Sequence, residues 1–257
     1  MINDLPIRRT RFLGVGFDQL TAEEVLDLIF DQANKSDFEY VVTPNADHVV
    51  RLALRNDLLE VYDGAFLSTC DSRIVLALAR LKGYPIGGLV TGSDLTRMLF
   101  VAGTLRKYRI AIVGGAPEEI EVLKERYQLS DVYHLNPSMG FISRPEEVEH
   151  CCQFVKDVQA NIVFFAVGSP QQELLASKVK ATVGARGVGL CIGASLLFLT
   201  GTEKRAPGLV SKVGLEWLYR LSQNPKRLWR RYLGNMKIFK LAMKAPRYQE
   251  SKLNKRD

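Results

Sequence analysis

Short apolar runs alternate along the chain with stretches of helical periodicity, and this alternation restricts the possible folds more than any other feature. The apolar runs are rich in Val, Ile and Phe and cover residues 38–43, 109–113, 162–167 and 187–192. The helical stretches cover residues 46–55, 72–81, 93–105, 117–127, 145–159 and 171–180. Repeated units of this kind predict an α/β fold with a mainly parallel sheet.

The positive charge of the chain is concentrated near its C-terminus. After residue 199, fifteen Lys and Arg stand against four Asp and Glu, a balance of +11, whereas the whole chain of 257 residues carries +7. The composition changes after Pro207, which predicts an α/β domain over residues 1–206 and a helical appendage over 207–257. Such a basic segment indicates an anionic partner, either nucleic acid or a membrane surface rich in acidic lipid.

Two amphipathic helices are predicted in the appendage, over residues 208–222 and 225–243. Trp217, Trp229 and Tyr232 recur there among Lys and Arg. Basic helices with aromatic anchors suit the interface of a membrane. The alternative is a nucleic-acid-binding module, in which the rings stack on bases and the arginines contact phosphates. The helical spacing of the apolar residues favours the membrane, and we expect no nucleic acid partner.

The remaining composition indicates a soluble or peripheral protein. The N-terminal residues lack the apolar core and cleavage pattern of a signal peptide. No segment approaches the roughly 20 consecutive apolar residues that a spanning helix needs. The four cysteines show no metal-ligand spacing, so we expect them to be reduced and buried.

Two loops that follow predicted strands carry polar side chains where open α/β sheets bind their ligands. Thr43 and Asn45 follow the first strand, where they offer a hydroxyl and an amide to a sugar, although Asn45 also suits a helix cap. Asp71 follows the strand-like run 65–68, and it is either a helix cap or a general base that accepts a proton from an attacking hydroxyl.

Two further loops carry glycine. Gly114 and Gly115 precede a helix whose free N–H groups suit a diphosphate, although the full dinucleotide fingerprint is missing. Gly168 opens the loop before the helix over 171–180, and the amide of Gln172 lies in the first turn of that helix. Gln172 therefore contacts either a phosphate or sugar oxygen, or only solvent.

Taken together, these motifs resemble those of the WecG/TagA/CpsF glycosyltransferases. TPNADH, CDS, VTGSDL, IVGGAP, VGSPQQE, GTEKRAP, GLEWLYRL and PKRLWRRYL occur in that family's order over about residues 40–235. The resemblance implies an α/β fold with a Rossmann-like half of the GT-E type and a basic C-terminal helical appendage. It also implies an inverting transferase that moves a sugar from a UDP-sugar to an undecaprenyl-diphosphate-linked saccharide.

The same resemblance implies roles for individual residues and a place in the cell. Asp71 matches the catalytic base, and Thr43, Asn45 and Gln172 match polar groups of the active site. The appendage would close the site with Arg220, Arg227, Arg230 and Arg231. The enzyme would work at the cytoplasmic face of the inner membrane, as a peripheral protein that synthesises cell-surface polysaccharide.

This chain departs from the family pattern at three places. Ser72 stands where members commonly carry Gly, and Leu89 stands where they carry Arg. The segment 193–201, which includes Leu197, lacks the acidic residue that is often found before the GTEKRAP motif. Arg73 is a candidate to replace the missing arginine.

Neither metal ligands nor a dinucleotide motif is evident. The chain contains no Asp-x-Asp pair, and its three histidines are scattered, so we expect catalysis without a metal or another cofactor. Backbone N–H groups and arginines would then stabilise the leaving diphosphate. The runner-up is a Rossmann-like nucleotide-binding protein such as a dehydrogenase, but Gly14-Val15-Gly16 lacks the third glycine of that motif.

Overall fold

The computed structural model describes residues 7–202, 229 and 233–249 of the chain. Its strands are β1 (Arg9–Phe12), β2 (Val15–Asp18), β3 (Phe38–Val42), β4 (Leu67–Ser68), β5 (Ile110–Val113), β6 (Val132–Leu135), β7 (Ile162–Phe165) and β8 (Gly187–Cys191). Its helices are α1 (Ala22–Ala33), α2 (Ala46–Leu52), α3 (Leu59–Asp63), α4 (Arg73–Leu81), α5 (Gly92–Val101), α6 (Pro117–Tyr127), α7 (Pro145–Val158), α8 (Gln171–Lys180), α9 (Ser195–Thr200) and α10 (Lys237–Lys244).

Six strands form one parallel sheet in the order β4-β3-β8-β7-β5-β6, as the alternation of apolar runs and helices predicts. Alternate residues of each strand belong to two cores, one on each face of the sheet. Packed against one face are α2, α4, α7 and α8, and against the other are α1, α5, α6 and α9. Because both faces are covered, β5, β7 and β8 are apolar throughout rather than alternating. The α/β fold with a mainly parallel sheet is confirmed.

Every strand and helix predicted before residue 181 has a counterpart, with bounds that differ by a few residues. The sequence interpretation missed the β1–β2 hairpin, α1, α3, β6 and α9. A signal for α1 was present, because Thr21 and Glu24 form a capping box ahead of its apolar residues. Strand β6 gives little signal, since it is a partly exposed edge strand of four residues.

An ion pair between the two strands of the hairpin is hydrogen-bonded to the neighbouring edge of the sheet. The guanidinium of Arg9 donates to both oxygens of Asp18, at 2.7 and 3.0 Å. Asp18 also accepts the backbone N–H of Ser68 in β4 at 2.7 Å. The same guanidinium donates to the carbonyls of Ala65 and Phe66. The hairpin therefore sits against the β4 edge of the sheet through charged hydrogen bonds rather than through strand pairing.

The end of the described chain packs back onto the α/β domain. Ile238 and Ala242 of α10 are buried in the core that contains α2. Beyond the helix, the N–H of Tyr248 donates to the carbonyl of Lys82 at 2.8 Å, and the Lys82 ammonium donates to the carbonyl of Ala245 at 2.8 Å. The predicted helix over 208–222, and residues 225–228 and 230–232 of the one over 225–243, lie outside the described residues. Ile238, an apolar residue of the predicted membrane-binding helix over 225–243, packs inside the protein.

Candidate active site

The four loops that the sequence singled out lie at the carboxyl edge of the parallel sheet. They follow β3, β4, β5 and β7. After β5 the chain crosses to α6 on one face, whereas after the neighbouring β7 it crosses to α8 on the other. Loops that leave adjacent strands in opposite directions open a crevice at the sheet edge, and ligands of open α/β folds bind there.

Asp71 is half-buried in the loop after β4, and its backbone N–H donates to the carbonyl of Pro44 at 3.1 Å. This contact joins the CDS and TPN motifs. Ser72 is the residue that caps α4, since its hydroxyl accepts the N–H of Val75 at 3.3 Å. The interpretation of Asp71 as a helix cap is therefore wrong, and its role as a base stays a prediction.

The VTGSDL segment completes this part of the edge. The N–H of Val90 donates to the carbonyl of Cys70 at 3.0 Å, and the hydroxyl of Thr69 donates to the carbonyl of Val90 at 2.9 Å. Leu89 pairs with Cys70 in an isolated parallel bridge. The Leu89 departure from the family pattern thus lies opposite Cys70, the residue before Asp71, in the candidate site itself.

Thr43 lies beneath the first turn of α5. A Cβ atom on Gly92 would come within 2.9 Å of the Thr43 hydroxyl, so a side chain there would displace Thr43. Thr91 caps α5 by accepting the N–H of Asp94 at 3.0 Å. Thr43 is only 8% exposed, and its contact with a sugar stays a prediction.

Asn45 is the cap of α2, as one of its two interpretations predicts. Its side-chain oxygen accepts the N–H groups of Asp47 and His48, at 3.0 and 3.4 Å. A sugar contact would therefore have to come from the amide nitrogen, and that role stays a prediction.

The loop after β5 packs too closely for any residue except glycine. Gly114 has φ +98°, and a Cβ atom there would lie 2.8 Å from the side chain of Val167 in the neighbouring loop. At the start of α6, however, the carboxylate of Glu119 accepts the N–H of Ala116 at 3.1 Å. A diphosphate would compete with this carboxylate for that N–H group. The diphosphate site at Gly114 and Gly115 stays a prediction.

The loop after β7 is tied to its neighbours through buried polar groups. Gly168 has φ +81°, and the peptide between Ser169 and Pro170 is cis. Ser169 accepts a hydrogen bond from the guanidinium of Arg51 in α2 at 2.9 Å. Gln172 is 3% exposed, so the prediction that it faces solvent is wrong.

Both polar atoms of the Gln172 amide are engaged inside the protein. Its oxygen accepts the N–H of Gly193, just after β8, at 2.8 Å. Its nitrogen donates to the carboxyl of Glu173, also at 2.8 Å. Gln172 thereby connects the loop after β7 to the loop after β8. Its amide forms this connection inside the protein.

Burial dominates the electrostatics of the site. Loss of solvent raises the pKa of Glu173, against hydrogen bonds from Gln172 and Ser169 that lower it. Burial also raises the pKa of the Cys70 thiol to about 12. Cys70 is therefore a neutral thiol at physiological pH and no nucleophile, although it precedes Asp71.

The structure brings Thr43, Asn45 and Asp71 together and places Gln172 two strands away. The appendage arginines Arg220, Arg227, Arg230 and Arg231 lie outside the described residues. The sequence interpretation missed Arg51, Glu173 and Gly193. Glu173 belongs to the VGSPQQE motif, but nothing in a single sequence shows that its carboxyl group is buried.

Neither a metal site nor a membrane-spanning helix is present in the described part of the chain. Within it, no three His, Cys, Asp or Glu side chains converge as a metal site requires. Over the same residues, none of the helices is both long enough and apolar enough to cross a membrane. All four cysteines are free and buried, as predicted.

Comparison with protein families gives one match. The model described as the glycosyl transferase WecG/TagA/CpsF family matches residues 10–252. The match begins in the β1–β2 hairpin, covers every strand of the parallel sheet and continues past α10.

Proposed function

The chain belongs to the WecG/TagA/CpsF family of glycosyltransferases, and we propose that it moves a sugar from a UDP-sugar onto an undecaprenyl-diphosphate-linked saccharide with inversion at the anomeric carbon. The product would be an intermediate in the synthesis of a cell-surface polysaccharide. The observation that carries this proposal is the position of Asp71, at the carboxyl edge of the sheet and joined to the TPN and VTGSDL motifs.

In the proposed step, an acceptor hydroxyl attacks the anomeric carbon from the side opposite to UDP. The new bond forms between that oxygen and the anomeric carbon, and the bond from the carbon to the β-phosphate oxygen breaks. UDP departs with the bonding electron pair. The carboxylate of Asp71 takes the proton of the attacking hydroxyl, which makes the oxygen a better nucleophile.

The charge that develops on UDP needs stabilisation, and we assign it to arginines and backbone N–H groups without a divalent metal. The absence of an Asp-x-Asp pair from the sequence supports this assignment. At the start of α6, Glu119 already accepts one N–H group. Arginine candidates for bidentate hydrogen bonds to phosphate oxygens are Arg73 at the start of α4 and, in the appendage, Arg220, Arg227, Arg230 and Arg231.

A lipid-linked acceptor requires the enzyme at a membrane surface, and we propose peripheral attachment at the cytoplasmic face. Lys237, Lys240 and Lys244 of α10 are exposed, and the same helix exposes 41% of Phe239 and 74% of Met243. Basic and apolar side chains on one exposed helical surface favour the interface of an anionic bilayer.

An assay of the purified protein against a panel of UDP-sugars, with a water-soluble polyprenyl-diphosphate acceptor, tests the reaction. Asp71→Asn should fold normally and lose about 10²- to 10⁴-fold in kcat, the usual contribution of a positioned base. Asp131→Asn is the control, because Asp131 is paired with Arg109 at the opposite edge of the sheet. Turnover of Asp71→Asn within a few-fold of wild type would contradict the assignment of the base.

A further inference from the structure

Glu173 lies in the first turn of α8 and is 1% exposed, although its side chain carries an ionisable group. Burial of a carboxyl group is costly unless hydrogen bonds compensate for the loss of water. Its neighbours are polar: the amide of Gln172 at 2.8 Å, and Ser169, which Arg51 holds from α2. The group therefore lies within a network that joins α2 to the loops after β7 and β8.

The two partners of Gln172 leave its amide only one orientation. The N–H of Gly193 is a donor and requires the amide oxygen, whereas the carboxyl oxygen of Glu173 requires the amide nitrogen. A flipped amide would set donor against donor at Gly193 and acceptor against acceptor at Glu173. Glu173 therefore fixes which end of the amide meets Gly193.

The orientation of the Gln172 amide affects the carboxyl edge of the sheet through Gly193. This residue has φ +54° and begins the turn between β8 and α9 at the carboxyl edge of the sheet. Gln172 holds the N–H of that turn.

We propose that Glu173 is a positioning residue, which orients the amide of Gln172 and through it holds the turn at Gly193 in place for the UDP part of the donor. The role toward UDP rests on the proposed glycosyltransferase function. The hydrogen bond by which Gln172 holds the N–H of Gly193 does not depend on that function, and it is tested separately.

Amide hydrogen exchange at Gly193, followed by ¹⁵N NMR of the full chain, tests the hold. Glu173→Met removes the acceptor with an apolar side chain of similar length, which a buried site tolerates. We expect exchange at Gly193 to quicken about tenfold, as the loss of one hydrogen bond predicts. Glu173→Gln retains an acceptor oxygen and should exchange like wild type.

Two further variants make this test decisive. Gln172→Met removes the same link from its other end, so it should quicken exchange at Gly193 to the same extent even if Glu173→Met is unstable. Glu39→Gln is the matched control, because it removes a carboxylate that pairs with Lys180 near the start of β3. Equal exchange at Gly193 in wild type, Glu173→Met and Gln172→Met would overturn the proposal.

Calorimetric titration with UDP tests the consequence for the donor. We expect Glu173→Met to bind UDP about threefold to tenfold more weakly, with Glu173→Gln restoring most of the affinity. If Gly193 exchanges faster in Glu173→Met but UDP affinity is unchanged, the link to the donor is wrong. A wild-type protein that does not bind UDP contradicts the proposed donor instead, and the exchange data then decide the hold on Gly193.

Discussion

Replacing Asp18 by Asn should strongly destabilise the protein, although Asp18 lies outside the candidate site. Its side chain is fully buried, and its two oxygens accept hydrogen bonds from Arg9 and from the N–H of Ser68. An amide of the same shape offers one oxygen and one NH₂ group. The NH₂ group would then face one of the present donors, either the Arg9 guanidinium or the N–H of Ser68. Arg9 would also lose its counter-charge.

The size of the effect follows from this geometry. The side chain of Arg9 is 24% exposed, so water compensates only part of its charge. Breaking one side of a buried ion pair costs about 3–5 kcal/mol. Because the Arg9 guanidinium keeps its contacts with the carbonyls of Ala65 and Phe66, we expect the lower end, about 3 kcal/mol. In a chain of this size that lowers Tm by roughly 6–12 °C.

Urea unfolding followed by circular dichroism measures the difference, with a constant m-value as the condition for the comparison. Asp63→Asn is the matched control, because Asp63 also pairs with a hairpin arginine, Arg11, but both side chains are exposed. That variant should lose less than about 1 kcal/mol. If Asp18→Asn costs no more than Asp63→Asn, the buried pair and its hydrogen bond to Ser68 do not stabilise the hairpin against the sheet.

Three other predictions concern the metal, the membrane and pH. EDTA should leave transferase activity intact, and activity that disappears in EDTA and returns with Mg²⁺ or Mn²⁺ would contradict metal-free catalysis. Reversing the charge of Lys237, Lys240 and Lys244 should weaken co-sedimentation with anionic liposomes at least about tenfold, since each basic residue contributes roughly 1 kcal/mol. Deleting residues 208–257 is a poorer test, because the deletion also removes α10, which packs in the core. Burial raises the pKa of Glu173, so the folded protein keeps this proton at pH values where the unfolded chain has lost it. The free energy of unfolding of the wild type should therefore fall as pH rises above the pKa of Glu173 in the unfolded chain. Relative to wild type, Glu173→Gln should become more stable from about pH 4 toward neutrality. A difference in unfolding free energy between the two proteins that is constant with pH would refute this.

The sequence by itself determined the features that depend on neighbouring residues. The periodicity of the apolar runs gave the parallel α/β fold, because side-chain spacing follows directly from helix and strand geometry. The cap at Asn45 was among the predictions, since its partners lie two and three residues away. Loops after strands were also identifiable as the site, because parallel strands share one carboxyl edge.

Only the tertiary structure decided which distant residues meet. Asp18 accepts a hydrogen bond from a residue 50 positions along the chain, and Gln172 accepts one from a residue 21 positions along. A polar side chain looks the same in a sequence whether it faces solvent or is buried with partners. The burial of Gln172 and Glu173 follows from strand order and packing. These depend on residues far apart in the chain, so no local pattern encodes them.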